Sequence, residues 1–390
     1  MKNSKTYSVL LAIAASVLAS CGKESWPGPE DNETALFTLA TPLIATGDTA
    51  AMEDDTRFVF DQGHFNSGST DNRTYVYIHN VSSDKPWHEI GLSLMTENST
   101  SVPHMNGYSN LFTRLIRRDP VNYEYDYNKW EALLQNGNFY EQIPVYKNKG
   151  KIDIYGYYPY NPFVTDITAI PFDVSAVEQY NSNKTGSTDY LWVAKKGVNP
   201  QDPAQLATGT ITFNHVMAWL NLQFTIEVGG GLLYVRKVRL ETVDGGAWLP
   251  RRGTFNATNG VCTTTDMVSE LESICGFQLY RYIYNGVNWT YSTYHVNFVL
   301  PEIAVASASV TNRKLKVTVY FNLNEDETTP QFSDPFIIDL ATLQTSNGDR
   351  GLRTGYRYNL PIKCLDYIKF INFDVLSVVP WGSEDIDIQI

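Results

Sequence analysis

Histidine and cysteine are the residue types whose spacing could reveal metal or nucleophilic chemistry in this chain. No two of the six histidines have the spacing of metal ligands on a helix: His64, His79, His88, His104, His215 and His295. The sequence contains no glycine-rich phosphate loop after a strand, no Gly-x-Ser-x-Gly motif and no Cys-x-x-Cys motif. His215 precedes an apolar run, which is typical of a hydrogen-bonded core or strand-edge histidine. The 42 acidic residues leave a glycosidase-type carboxylate pair open, but no motif predicts an enzyme, a metal or a cofactor.

Cys21 has a recognisable chemical context. A basic start precedes an apolar run at residues 9–19, which is shorter than the roughly 20 residues of a membrane helix and fits an export signal. The residues Leu18-Ala19-Ser20-Cys21-Gly22 resemble the bacterial lipobox. That motif implies a lipoprotein signal peptide at 1–20 and lipidation of the Cys21 thiol; the alternative is an ordinary signal with an unrelated cysteine. Residues 21–34, rich in proline, glycine and acidic side chains, then form an extended tether.

The three later cysteines agree with export but define no zinc site. Cys262 and Cys275 could pair across a short loop, which would leave Cys364 as a buried thiol. We therefore draw no function from these cysteines.

Composition narrows the class of protein. The chain has 30 basic and 42 acidic residues in 390, which gives a formal net charge of −12. Its overall electrostatic field therefore does not favour binding to nucleic acid. The 43% hydrophobic content is enough for a sizeable core. Its 25 tyrosines and 8 tryptophans, together with many threonines and valines, favour β structure.

Short alternating apolar runs predict strands along most of the chain, for example at residues 74–79 and 151–160. Their number and spacing are typical of a β-sandwich with long connections. Proline, glycine and polar residues at 195–210 form the clearest linker. The chain is therefore predicted to contain an N-terminal β-sandwich domain at 35–200 and a C-terminal one at 201–390.

Four stretches follow one another in order behind the lipobox. They are residues 152–160 (IDIYGYYPY), 188–194 (TDYLWVA), 211–220 (ITFNHVMAWL) and 352–360 (LRTGYRYNL). Together they resemble the fimbrillin superfamily, the lipoprotein pilins of type V fimbriae, over nearly the whole mature chain. None of the four carries a catalytic residue.

The resemblance implies a mainly β protein with two transthyretin-like β-sandwich domains in tandem and a structural role. It implies a fimbrial subunit or tip adhesin, exported as a lipoprotein to the outer membrane and exposed on the cell surface in a fimbrium. The implied partners are other fimbrial subunits, an Arg- or Lys-specific protease, the outer membrane through the lipid, and a host or bacterial surface ligand. In that family, proteolytic loss of the first strand opens an apolar groove, which a strand of the next subunit fills.

Two segments match the parts that such assembly needs. The first strand is expected at about residues 35–44, and Arg57 is the one basic residue between Lys23 and Arg73. Arg57 is therefore the candidate cleavage site; the alternative is a plain strand-initial arginine.

The C-terminal segment is the candidate donor strand. Residues 385–390 alternate strictly, so Ile386, Ile388 and Ile390 would share one face. The same strand could instead complete its own domain.

Two other functions remain open from the sequence. A surface glycan-binding lipoprotein could use exposed aromatic rings, and a secreted hydrolase could use converging carboxylates. Tyr155 and Tyr157 alternate on one face of their predicted strand, which favours packing over sugar binding.

Overall fold

A computed structural model provides the structure of the chain. It describes residues 34–37, 43–44, 60–61, 77–78, 87–117, 130–136, 139–141, 143–174, 190–202, 205, 212–226, 232–284, 287–291, 294–306, 313–322, 330–365, 370–373 and 376–380. Within these ranges the chain forms 28 strands, which confirms the predicted β class.

The strands of the first part of the chain end at His215. They are β1 (Thr34–Phe37), β2 (Leu43–Ile44), β3 (Phe60–Asp61), β4 (Tyr77–Ile78), β5 (Trp87–Thr96), β6 (Leu111–Arg117), β7 (Trp130–Asn136), β8 (Phe139–Glu141), β9 (Ile143–Tyr146), β10 (Ile152–Tyr158), β11 (Ile170–Asp173), β12 (Leu191–Val198) and β13 (Thr212–His215). The proline after β10 ends that strand, as expected of a residue that cannot donate to the ladder.

The second part begins with the long strand β14. Its strands are β14 (Met217–Ile226), β15 (Leu232–Thr242), β16 (Leu249–Phe255), β17 (Cys262–Val268), β18 (Glu270–Tyr284), β19 (Val287–Tyr291), β20 (Tyr294–Pro301), β21 (Ile303–Ala304), β22 (Lys314–Asn322), β23 (Gln331–Phe332), β24 (Phe336–Asp339), β25 (Gly351–Leu352), β26 (Tyr356–Leu365), β27 (Phe370–Phe373) and β28 (Ser377–Pro380). The apolar run at 370–379 has the sequence pattern of one strand, but it forms two strands that pair with different parts of β26.

An eight-stranded sheet, here called the N-terminal sheet, has the strand order β2-β13-β12-β10-β5-β6-β7-β8. All seven residues of its strand β10 are buried, so both faces of the sheet are covered there. Gly91 of β5 makes this packing possible, because a Cβ at that position would lie 2.1 Å from the ring of Tyr157.

One face of the N-terminal sheet packs on an apolar cluster that we call the N-terminal core. Its buried members are Ile90, Leu92, Leu94, Met105, Tyr108, Leu111, Ile143, Val145, Tyr146, Ile152, Ile154, Tyr158, Leu191, Val193, Val198 and Phe213. Strand β9 contributes three of these residues although it lies outside the N-terminal sheet and pairs with β1. The pair β1–β9 therefore forms part of a second layer, which gives this region the two layers of a sandwich.

The second part of the chain forms two further large sheets around a larger apolar cluster, the central core. One sheet has the order β20-β14-β26-β27, with β28 also paired to β26, and the other has the order β19-β18-β15-β22-β23, with β24 also paired to β22. Buried residues of both sheets, such as Phe224 of β14 and Leu240 of β15, belong to the central core. Two sheets that share one core are a β-sandwich, as the strand pattern predicted.

Aromatic side chains join the opposite face of the N-terminal sheet to the central core. The ring centre of Phe255 lies 6.4 Å from that of Tyr157 and 5.8 Å from that of Tyr190. Tyr155 and Tyr157 are both buried here, which confirms that they pack in the interior. Burial raises the pKa of Tyr155 to about 12, with a smaller effect of the Asp153 carboxylate, so its hydroxyl stays neutral.

Strand pairing crosses the linker that the sequence predicts at 195–210. β12 continues to Val198, and β13, beyond the linker, pairs with β12 in the N-terminal sheet. In addition, β11 pairs with β16 in the three-stranded sheet β11-β16-β17. Strands from both sides of position 200 therefore share two sheets. The division of the chain into two domains at that position stays a prediction.

Cys262 and Cys275 are free thiols rather than a disulfide. Burial raises the pKa of each thiol to about 12, so both are neutral at physiological pH. They act as small apolar side chains of the interior.

Candidate assembly site

The N-terminal strands β1 and β2 pair with two different strands beside the N-terminal core. β1 is antiparallel to β9, with Ala35 opposite Val145 and Phe37 opposite Ile143. β2 is parallel to β13 and forms the end of the N-terminal sheet. Both partner strands carry residues of the N-terminal core. The N-terminal segment, by which we mean the part of the chain that contains β1 and β2, therefore pairs beside this core at two places.

Strand β9 is the centre of this arrangement. Ile143 and Val145, two residues apart, are fully buried in the N-terminal core. Pro144 between them has no N–H group, so it leaves no backbone donor to satisfy at the strand edge. Tyr146 is also buried, and the Lys149 ammonium lies 4.1 Å from its ring centre.

His104 contacts β9 from the loop between β5 and β6. Its side chain is almost fully buried, and Nε2 lies 3.1 Å from both the backbone N and the backbone O of Tyr146. Neutral imidazole accepts from the Tyr146 N–H in one tautomer and donates to the carbonyl in the other. Burial lowers the pKa of His104, the Tyr146 contact opposes that effect, and the Lys149 charge adds to it.

A buried carboxylate fixes the loop that carries His104. Asp153 of β10 accepts hydrogen bonds of 2.8 Å from the backbone N–H groups of Asn98 and Gly197. Asn98 has a positive φ of 62°, a conformation that such a contact can stabilise in a non-glycine residue. Asp153 therefore ties this loop and the end of β12 to the centre of the N-terminal sheet.

The described residues show no sign of metal chemistry or of a helical membrane span. No group of three or more His, Cys, Asp or Glu side chains within them could hold a metal ion. No helix in the same part of the chain is long and apolar enough to cross a bilayer. The arrangement offers main-chain hydrogen-bonding groups and apolar surface, which are the elements of strand pairing.

Solved structures of cell adhesion and fimbrial proteins are similar to this chain at low sequence identity. A candidate cell adhesion protein from Bacteroides ovatus is 17% identical with a TM-score of 0.46, and the match covers 80% of this chain and 93% of that one. A fimbrial protein from Bacteroides vulgatus is 12% identical with a TM-score of 0.41, covering 76% of this chain and 92% of that one. The tip fimbrial protein Mfa3 from Porphyromonas gingivalis, with a C-terminal truncation, is 9% identical with a TM-score of 0.36, covering 76% and 95% respectively. No curated protein matches the chain.

The family assignment rests on the sequence itself. The model of the fimbrillin-like family matches residues 81–367, well over half of the chain. The chain belongs to the fimbrillin-like family. Membership supports a role as a fimbrial subunit or adhesin at the cell surface, a structural role rather than an enzymatic one.

The predicted sites at the two ends of this fimbrillin-like chain lie outside the described residues. They are Cys21, Arg57, Ile386, Ile388 and Ile390. His215, by contrast, is buried in β13 opposite Leu191, in agreement with its predicted place in a core strand.

Sequence reasoning did not identify β9 and His104 of this fimbrillin-like chain as parts of the site. The alternation of Ile143 and Val145 was the available signal for β9, but the intervening proline weakens any strand prediction. His104 lies in a polar loop, and nothing in its neighbourhood along the chain indicates a contact with Tyr146, which is 42 residues away.

Proposed function

We propose that the protein is a fimbrial subunit or tip adhesin, lipidated at Cys21 and assembled by protease-triggered donor-strand exchange. The observation that carries the proposal is the pairing of β1 with β9 and of β2 with β13 beside the N-terminal core. In this scheme β1 and β2 occupy strand edges of the subunit's own N-terminal sandwich until cleavage at Arg57 releases them.

Release of the segment would leave two main-chain edges unpaired. β9 would lose the strand that pairs with it in the described structure, and β13 would become the end of the N-terminal sheet. Unpaired edges beside an apolar core favour addition of another strand. A strand supplied by a second subunit makes a head-to-tail contact, which does not close and so produces a filament.

The pairing is short enough to be exchanged. β1 contributes four residues and β2 contributes two. Each main-chain hydrogen bond adds only about 1 kcal/mol net, because folding replaces bonds to water. A longer donor strand with apolar residues at alternate positions would therefore displace the segment once cleavage frees it.

The proposed function is tested by asking whether the chain is cleaved after Arg57 and whether assembly depends on that cleavage. On cells that assemble the wild-type protein, the surface form should begin at Phe58 and run as a ladder of SDS-resistant oligomers. Arg57→Ala should keep the N-terminal segment and run as a monomer, because the accepting edge stays occupied. N-terminal sequencing and electrophoresis measure both results.

Arg73→Ala is the matched control, since it removes the next basic residue along the chain. It should assemble like the wild type. An Arg57→Ala protein that forms the same oligomer ladder, or a surface form that begins at another residue, would contradict the assigned cleavage site.

The C-terminal segment is proposed as the donor. Replacing Ile386, Ile388 and Ile390 together by Asp should abolish the oligomer ladder while the monomer keeps its thermal stability, because a charged face cannot enter an apolar groove. The matched control changes the alternate residues Asp385 and Asp387 to Asn and should still assemble. Loss of the folded monomer in the triple variant would show instead that this strand completes its own domain.

A further inference from the structure

We propose that His104 is a pH-sensitive latch on β9, and that its protonation loosens the edge at which β1 pairs. The latch is a property of the folded monomer. Its meaning as a regulator of strand exchange rests on the proposed function.

The geometry places His104 and β1 on opposite edges of β9. Alternate residues of a strand direct their N–H and C=O groups to opposite edges. The N and O atoms of Tyr146 both lie 3.1 Å from His104 Nε2, so the backbone groups of Val145 and Ile143 face β1. Pro144, on the same edge as Tyr146, has no N–H to satisfy.

His104 therefore supplies a side-chain partner on the edge of β9 that faces away from β1. Apolar burial of Ile143 and Val145 holds the strand from the side of the core. When β1 leaves, the contact between His104 and Tyr146 remains to hold the backbone of β9 in place for an incoming strand. Loss of that contact would allow the accepting edge to move.

Apart from the Tyr146 carbonyl, which faces Nε2 and favours the charged form, the surroundings of His104 oppose a positive charge. The positive charge of Lys149 would repel an imidazolium at His104, the centre of the Tyr146 ring lies 6.1 Å from that of His104, and burial raises the pKa of Tyr108 in the same loop, so that Tyr108 offers no negative charge. The His104 Nδ1 atom is buried and has no hydrogen-bond partner among the described residues. An imidazolium carries a proton on both ring nitrogens, so its Nδ1–H would be charged and unsatisfied and its protonated Nε2 could no longer accept from the Tyr146 N–H; the imidazolium is therefore expected to leave its place beside β9.

The direction of the pH effect follows from the lowered pKa. Above the ordinary value of 6.5 the imidazole is neutral in both the closed and the open states, so the latch is fully formed. As the pH falls below that value, the open state binds a proton more readily, and opening becomes up to about tenfold more favourable for each pH unit down to the pKa of the buried form.

Hydrogen–deuterium exchange of the full chain tests the latch. At pH 7.5 and pH 5.0, after correction for intrinsic exchange, the protection of peptides covering β9 should fall by roughly tenfold at the lower pH. His104→Gln keeps a neutral donor and acceptor, so the same peptides should show a pH-independent protection. His295 is a half-buried histidine of β20 that is hydrogen-bonded to Asn221, so His295→Gln is the matched control and should respond like the wild type.

Equal protection of β9 at both pH values in the wild type would overturn the latch, as would an unchanged pH response in His104→Gln. If His104→Gln does not fold, an NMR titration of the His104 ring protons in the wild type tests the proposal instead. A His104 pKa at or above 6.5 would contradict it. The readout is made on the monomer, so a failure of fimbrial assembly in the Arg57 experiment would leave this result standing.

Discussion

A chain that begins at Phe58 is expected to melt well below the full chain. It lacks β1 and β2, so β9 loses its paired strand and β13 becomes the end of the N-terminal sheet. A loss of about 3 kcal/mol in main-chain hydrogen bonding corresponds to a melting temperature lower by roughly 6–12 °C. Differential scanning calorimetry of the two purified chains measures the difference.

The same truncated chain should bind its missing segment. A peptide of residues 31–46 is expected to restore the melting temperature, because it supplies both the β1 and the β2 pairings. The matched peptide with Phe37→Asp should restore much less, since position 37 is opposite the fully buried Ile143. Equal stability of both chains, or equal rescue by both peptides, would show that this segment is not held in a specific groove.

Replacing Phe255 by Ala should strongly destabilise the folded chain. Phe255 is 1% exposed and contacts the rings of Tyr157 and Tyr190, so it joins the N-terminal sheet to the central core. Truncation of a buried phenylalanine costs about 3–5 kcal/mol, through lost burial and the cavity that remains. Chemical denaturation monitored by tryptophan fluorescence measures this loss.

Phe163→Ala provides the matched control. The side chain of Phe163 is 87% exposed on the loop after β10, so its removal should change the free energy of unfolding by less than about 0.5 kcal/mol. A similar small effect of Phe255→Ala would mean that the aromatic cluster does not couple the two parts of the chain. A broadened or two-step transition for Phe255→Ala would support that coupling, because the two parts would then unfold separately.

Local patterns predicted the strands well where each strand has a regular alternation. The residues of β10, for example, predicted a strand that ends at the following proline, and the structure has it at Ile152–Tyr158. The sequence of residues 130–134 fits either a short helical turn or a strand, and the structure has it as part of β7. The continuous apolar run at 370–379 does not indicate that its two halves pair with different parts of β26, because apolar content does not specify which residues a strand will face.

The sequence by itself determined the β class, the family, and the burial of Tyr155 and Tyr157, because these depend on residue type, period and order along the chain. The tertiary structure alone decided that β9 pairs with β1, that His104 meets the opposite edge of β9, and that β11 and β13 pair across the predicted linker. Pairings between distant segments depend on how whole sheets pack and on which backbone groups need partners. No local pattern of residue types records that information.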